Sequence, residues 1–257
     1  MLEARNLTFA YGDHLVLDDI SFSLNEGEMI AVLGANGAGK STMFRCLLGL
    51  FRNYKGEVFY NDKSVLEMSR RELAKNAAYI PQAEIPVFNY TVQDTVLMGT
   101  TGSLSPVSSP KAEQLTITNN AMAALGIDQL ADRGIQEISG GERQLAFLAR
   151  ALAQQSGLFV MDEPTANLDY GNQQLVLKYV KKLTEQGYTV LMSTHNPEHA
   201  LQYATKVMIL KDRKLYAYGD VAEVLTEETI EQVYGMKVVI IHQEIDGKEI
   251  RSCIPVP

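Results

Sequence analysis

Tryptophan is absent from this 257-residue chain, and cysteine occurs only twice. Cys46 and Cys253 offer no metal-ligand spacing and are too few for a disulfide framework, so a reducing cytoplasm is the expected setting. Long apolar runs are missing as well. Stretches such as Val207-Met208-Ile209-Leu210 fall far short of the ~20 residues that cross a bilayer, and no basic-then-apolar segment opens the chain. The expectation is a soluble protein that is not secreted and that reaches a membrane only through a protein partner. Basic residues are in the minority. The balance of 23 Lys+Arg against 31 Asp+Glu, a net −8, repels nucleic acid and anionic lipid. There is no internal repeat, and the one low-complexity patch, Gly102–Pro110, reads as a surface loop. With 46% hydrophobic residues, the chain can build one large domain or two small ones without oligomerising.

What is present is a glycine-rich run, Gly34-Ala35-Asn36-Gly37-Ala38-Gly39-Lys40-Ser41-Thr42, directly after the apolar stretch Met29–Leu33. It fits G-x-x-x-x-G-K-[ST]. Glycines let such a loop curl so that successive backbone N–H groups point inward, and the helix that follows adds its positive end. Lys40 can then reach terminal phosphates, and Ser41 is placed to ligate Mg²⁺. Before this loop the chain alternates apolar and polar residues from Leu2, with turns at Tyr11-Gly12-Asp13 and Glu26-Gly27-Glu28, as antiparallel strands do. After it, Met43, Phe44, Leu47 and Leu48 recur at helical spacing, and strands are expected at Gly56–Asn61 and Ala77–Pro81.

From about Ala83 to Ser156 the pattern turns helical, for instance at Ala112–Leu125 and Glu142–Gln154, which reads as a helical insert. Met43 and Met122 belong to apolar stripes and are expected in the core. Strands return at Leu158–Met161 and Thr189–Ser193 around the helical run Gln173–Gln186, the alternation of a parallel sheet with crossovers, so the fold class is α/β. Hairpins are expected at Lys206–Tyr218, turning near Asp212-Arg213, and at Val238–Val256, turning at Asp246-Gly247.

Two further places carry chemistry. Leu158–Met161 runs into Asp162-Glu163, two carboxylates at the carboxyl end of a buried strand, where such sheets place ligands. Asp162 can hold a metal and Glu163 can orient and deprotonate a water; a plain polar turn before Pro164 explains the same pair. Ser139-Gly140-Gly141-Glu142 opens a helix with the apolar face Leu145, Leu148, Ala149 and Leu152. Ser139 and Glu142 have capping-box spacing, and simple capping accounts for them. The two glycines nevertheless expose backbone N–H groups at a second helix start suited to an anion. Held away from the first site on the insert, this start is free to face a nucleotide on another copy, which gives a head-to-tail dimer as a hypothesis.

Over nearly its full length the chain resembles the nucleotide-binding subunit of an ATP-binding cassette (ABC) transporter. The resemblance makes Gly34–Thr42 the Walker A loop, Ser139–Glu142 with Gln144 part of the signature region, and Leu158–Glu163 the Walker B strand. It also implies that Gln82 contacts Mg²⁺ and relays to a membrane subunit, and that Ala166-Asn167-Leu168-Asp169 communicates across the dimer. His195 would meet the γ-phosphate, and Tyr11 would stack on adenine. His199, in Asn196-Pro197-Glu198-His199, reads as a surface helix residue. The implied architecture is a P-loop NTPase core with a parallel sheet, an N-terminal antiparallel β-subdomain and a helical insert. In residue terms the core and β-subdomain are 1–82 and 157–225, the insert is 83–156, and a C-terminal helix and hairpin follow at 226–257.

The implied function is that of a homodimeric ATPase binding two MgATP between its copies. It would sit at the cytoplasmic face of the cell membrane on integral permease subunits, with a substrate-binding protein as an indirect partner. Glu142, where many members have glutamine, and the run Ser193–Ala200 resemble importers of ferric siderophores, haem, cobalamin or related metal complexes. A soluble cassette ATPase of iron–sulfur cluster assembly shares the same ATP motifs.

Overall fold

The computed structural model describes residues 2–82, 86–103, 109–245 and 247–256. The start of the expected insert at Ala83, most of the expected Ser/Pro loop and Asp246 of the last turn lie outside these residues. The chain forms two compact units, one from Met1–Glu67 with Thr189–Pro257, the other from Met68–Tyr188.

The first unit begins with β1 (Leu2–Tyr11) and β2 (His14–Leu24), an antiparallel pair that turns between Tyr11 and His14. Their alternation buries Leu2, Ala4, Leu7 and Phe9 on one face, as the period of two requires. Next come β3 (Met29–Leu33), all five residues buried, and α1 (Lys40–Leu47). The strands β4 (Lys55–Tyr60) and β5 (Lys63–Ser64) complete an antiparallel sheet in the order β2-β1-β4-β5. Met43, Phe44, Cys46 and Leu47 of α1 are fully buried, and burial alone pushes the Cys46 thiol up to about 12. An un-ionised thiol of this kind is inert, which suits a structural role.

The second unit starts with α2 (Arg70–Asn76), a helix that sequence periodicity did not reveal. Too short for a periodic stripe, it is defined by its start: Ser69 and Glu72 form a reciprocal capping box. Then follow β6 (Ala77–Ile80), α3 (Val92–Leu97), α4 (Ala112–Ala124), α5 (Gly140–Ala153), β7 (Leu158–Met161) and α6 (Tyr170–Glu185). β6 and β7 run parallel, Ala77 opposite Leu158 and Ile80 opposite Met161. The helices α3, α4 and α5 pack on one another, with Met122, Leu145 and Leu148 in the interior. Gln154 ties the end of α5 to the α2–β6 junction by donating to the Ala74 and Ala77 carbonyls at 2.7 and 2.9 Å.

The chain then re-enters the first unit with β8 (Thr189–Ser193), α7 (Pro197–Tyr203), β9 (Lys206–Lys211), β10 (Lys214–Asp220), α8 (Val221–Val224), α9 (Glu227–Tyr234), β11 (Val238–Ile245) and β12 (Lys248–Pro255). β8 and β9 flank β3, both parallel to it, and β10 adds an antiparallel edge to β9. The turn joining β9 and β10 has positive φ at both Asp212 and Arg213, the geometry of a two-residue hairpin. Ala31, Leu33, Val207 and Ile209 of the parallel strands share one apolar cluster with Ala200, Ile230 and Val238. The C-terminal helix and hairpin therefore pack against the strand that carries the glycine-rich loop. At about 1.5–3 kcal/mol for each fully buried aliphatic side chain, this cluster makes them an integral part of the unit. The fold is α/β, as expected. No helix among the described residues is long and apolar enough to cross a membrane.

Candidate functional site

Gly34 leaves β3 with φ of +150°, and a Cβ there would lie 2.5 Å from the Leu210 carbonyl oxygen. Gly39, at φ +100°, is the N-cap of α1 and makes no side-chain cap. A Cβ on it would press on Leu17 at 2.8 Å. Both positions accept only glycine, for backbone and packing reasons together. The result is a helix start whose first N–H groups have no side-chain cap and whose first turn holds no acidic residue. That arrangement suits an anion. Lys40 is buried, and its ammonium donates to the Gly34 and Ala35 carbonyl oxygens at 2.8 and 3.3 Å. The cation is thus held at the mouth of the loop, where a phosphate, a charged acceptor, would bind it more strongly than a carbonyl does. Asn36 and Gly37 are exposed at the loop's tip, Ala38 is half-buried, Ser41 is half-buried and Thr42 is buried. The Tyr11 hydroxyl lies 3.3 Å from Thr42 Oγ1. Its ring stands edge-on to Phe9 and Phe51 at centroid distances of 5.0 and 5.7 Å, which leaves it about half exposed beside the loop.

On the same unit, His195 follows β8 and is exposed, whereas His199 is buried. The surface position expected for His199 is therefore wrong. A polar stretch after a Pro suggested an outward face, but α7 packs against β12 and turns this residue inward. Burial, and secondarily the nearby His195, lowers its pKa to about 4.

The second unit holds the remaining candidates. Asp162 is buried at the end of β7, its N–H bonded to the Ile80 carbonyl at 2.8 Å, and the Tyr79 hydroxyl approaches its Oδ2 at 3.5 Å. Tyr79 was visible in the sequence only as part of a strand. Glu163 adopts φ of +46°, a left-handed conformation costly for a residue with a Cβ, and strain of this kind concentrates at functional positions. Gln82, just past β6, is exposed.

Ser139 does cap α5: its Oγ accepts the Glu142 N–H at 3.2 Å, and Glu142 Oε2 accepts the Ser139 N–H at 2.8 Å. Capping leaves the Ser139 hydroxyl hydrogen and the Gly140 and Gly141 backbone in place at the helix start. Asp169 in turn caps α6, accepting from the Asn172 backbone N–H at 2.9 Å and its side-chain amide at 2.7 Å. These bonds, the backbone one foremost, hold its carboxyl below the usual carboxylate range. Leu168 lies against Gly140 and Asn172 against Gly141. The structure thus joins the Ala166–Asp169 segment to the Ser139–Glu142 helix start, a contact the sequence did not disclose.

A buried strand feeding a glycine-built, lysine-bearing helix start defines a P-loop nucleotide-binding ATPase. Residues 17–166 match the family model for ABC transporters. An ABC transporter ATP-binding protein of Haemophilus influenzae is 39% identical over 247 residues, covering 96% of this chain and 94% of the relative. A Helicobacter pylori protein named as a probable iron chelatin transport ATP-binding protein is 36% identical over 236 residues, covering 91% of this chain and 92% of its own length. Among solved structures, an ABC transporter described as of the metal-chelate type, in an inward-facing conformation, superposes with a TM-score of 0.89 at 30% identity, covering 100% of this chain and 97% of that one. The chain belongs to the ABC transporter family as an ATP-binding subunit, and its activity is ATP hydrolysis coupled to transport.

Proposed function

We propose that two copies of this chain form the motor of an importer for a chelated metal, such as a ferric siderophore, haem or cobalamin, with iron chelates the best-supported cargo. They would act at the cytoplasmic face of the membrane on permease subunits served by a substrate-binding protein. The observation that carries the membrane partner is an apolar surface on the second unit. Val87, Phe88 and Tyr90 follow Gln82 closely in sequence and are exposed to 88%, 65% and 48%. This segment is not loose. Gln136 donates to the Pro86 and Val87 carbonyls at 2.7 and 3.3 Å, Asn89 accepts the Gln136 N–H at 3.0 Å, and the Ile135 N–H bonds to the Tyr90 carbonyl at 2.8 Å. An ordered, exposed aromatic cluster of this kind is what a helix of a membrane subunit would cover. Its anchor, Ile135-Gln136, lies just before Ser139, so pressure there reaches the start of α5.

For the chemistry, Lys40 and the amides at the start of α1 bind the terminal phosphates, and Tyr11 stacks on the base. Glu163 accepts a proton from the attacking water, and His195 donates to the γ-phosphate oxygens. Ser139 with the backbone of Gly140 and Gly141, together with Glu142 and Asp169, completes the site of the partner copy. Ser41, Gln82 and Asp162 each offer a side-chain oxygen, the donor type Mg²⁺ takes, and Mg²⁺ when bound would neutralise phosphate charge. Closure of the dimer is stronger with ATP than with ADP, and that difference in binding free energy drives the permease between its states.

The test is affinity purification of the chain from detergent-solubilised native membranes, with mass spectrometry of its companions, run beside Phe88→Glu. A polytopic permease recovered with the native chain and lost with the variant supports the importer. Soluble partners alone, equally retained by the variant, would replace it with a non-transport assembly such as iron–sulfur cluster biogenesis.

A further inference from the structure

Thr194 and His199 form a buried pair behind the exposed His195, at 2% and 4% exposure. Thr194 Oγ1 lies 3.1 Å from His199 Nδ1, and the same oxygen accepts the Asn196 N–H at 3.1 Å. A hydroxyl has one hydrogen to give. While it accepts from Asn196, the hydroxyl can give that hydrogen to Nδ1, an arrangement that puts the His199 proton on Nε2. The rest of the turn is closed by the same short segment. Asn196 Oδ1 accepts the Glu198 N–H at 3.0 Å and the Asn196 carbonyl accepts the His199 N–H at 3.2 Å. On one side the Thr194 N–H is bonded to the Val32 carbonyl at 3.1 Å, which registers the turn against the strand leading into the phosphate loop. On the other, α7 rests on β12, and Ala200, Leu201 and Cys253 share one apolar cluster.

We infer that His199 is a positioning residue for ATP hydrolysis: through Thr194 it fixes the backbone of the His195-Asn196 turn and so aims the His195 imidazole. This rests on the reading of His195 as the group that meets the γ-phosphate. His199 itself touches no substrate. Its burial keeps it neutral, so its acceptor at Nδ1 persists.

The test measures kcat and KM for ATP on the purified full chain, with thermal unfolding of each variant recorded separately. The variants are Thr194→Val, His199→Leu and His199→Asn, the last supplying an amide oxygen near the place of Nδ1, with His195→Ala as reference. Misaiming a reacting group by about an ångström costs up to ~100-fold, so a loss of about tenfold in kcat is expected for Thr194→Val and His199→Leu. KM should stay within about twofold, and His199→Asn should recover most of the rate. In the His195→Ala background Thr194→Val should cost nothing further, because the group it aims is gone.

Wild-type kcat in Thr194→Val, or the same loss with and without His195, would overturn the inference while leaving the role of His195 standing. Unchanged turnover in His195→Ala would overturn both. Should His199→Leu fail to fold, Thr194→Val and the paired background decide alone.

Discussion

Asn172 fills the space that a side chain on Gly141 would need: a Cβ there would lie 2.2 Å from Asn172 Oδ1 and 2.4 Å from its Cγ. Asn172 cannot swing away freely, because both its backbone and side-chain nitrogens are bonded to Asp169. The starts of α5 and α6 are therefore fitted to each other through one missing side chain. Gly141→Ala is expected to cost about 1–3 kcal/mol, the usual price of overpacking, and to lower ATP turnover with it. Asn172→Gly added to Gly141→Ala should restore part of the stability, since it removes the clashing atoms. Thermal unfolding of the single and double variants measures both; a Gly141→Ala protein as stable as wild type would contradict the close fit.

Lys40 presents its ammonium at the loop, donating to the Gly34 and Ala35 carbonyl oxygens. A hydrogen bond to a charged group contributes about 1.5–3 kcal/mol, so Lys40→Ala should weaken ATP binding by ~10–100-fold. Calorimetric titration with ATP checks this, and retention of native affinity would remove the lysine from phosphate binding.

Glu163 is held in a strained conformation next to the buried Asp162. Glu163→Gln keeps the shape and removes the base, so hydrolysis should fall by about 10²–10⁴-fold while ATP binding persists. Light scattering should then show a long-lived ATP-bound dimer. Turnover at the native rate would clear Glu163 of the role of base.

His199 has a folded-state pKa lowered to about 4 from 6.5. Between those values the unfolded chain binds a proton that the folded chain refuses, so this histidine's contribution is complete above about pH 6.5 and is lost as the pH falls toward 4. The full difference amounts to about 3 kcal/mol. Urea unfolding at pH 7.5, 6.0 and 5.0 should show a steeper loss for wild type than for His199→Asn, which has no proton to gain. Parallel curves would show that His199 does not titrate in this window.

Much of this molecule follows from short-range rules. The spacing Gly34…Gly39-Lys40-Ser41 dictates a loop that only glycine can trace and a helix start with open amides, whatever surrounds it. Ser139 and Glu142 state their capping box three residues apart, and Asp212-Arg213 joins two strands in a turn that local backbone geometry alone allows. Contacts between remote segments were not legible. His199 sits in a polar-looking stretch and is buried because β12, which begins 49 residues later, covers α7. Gly141 reads only as one of two glycines exposing amides at a helix start until Asn172 is seen against it, and Gln136 shows no sign in sequence of anchoring Pro86 and Val87. The sequence by itself determined the phosphate loop, the helix starts and the α/β alternation, because backbone conformation and capping act within a few residues. Only the tertiary structure decided which histidine is exposed, which glycine is closed off and which apolar surface is left open, because burial is set by whatever the rest of the chain brings alongside.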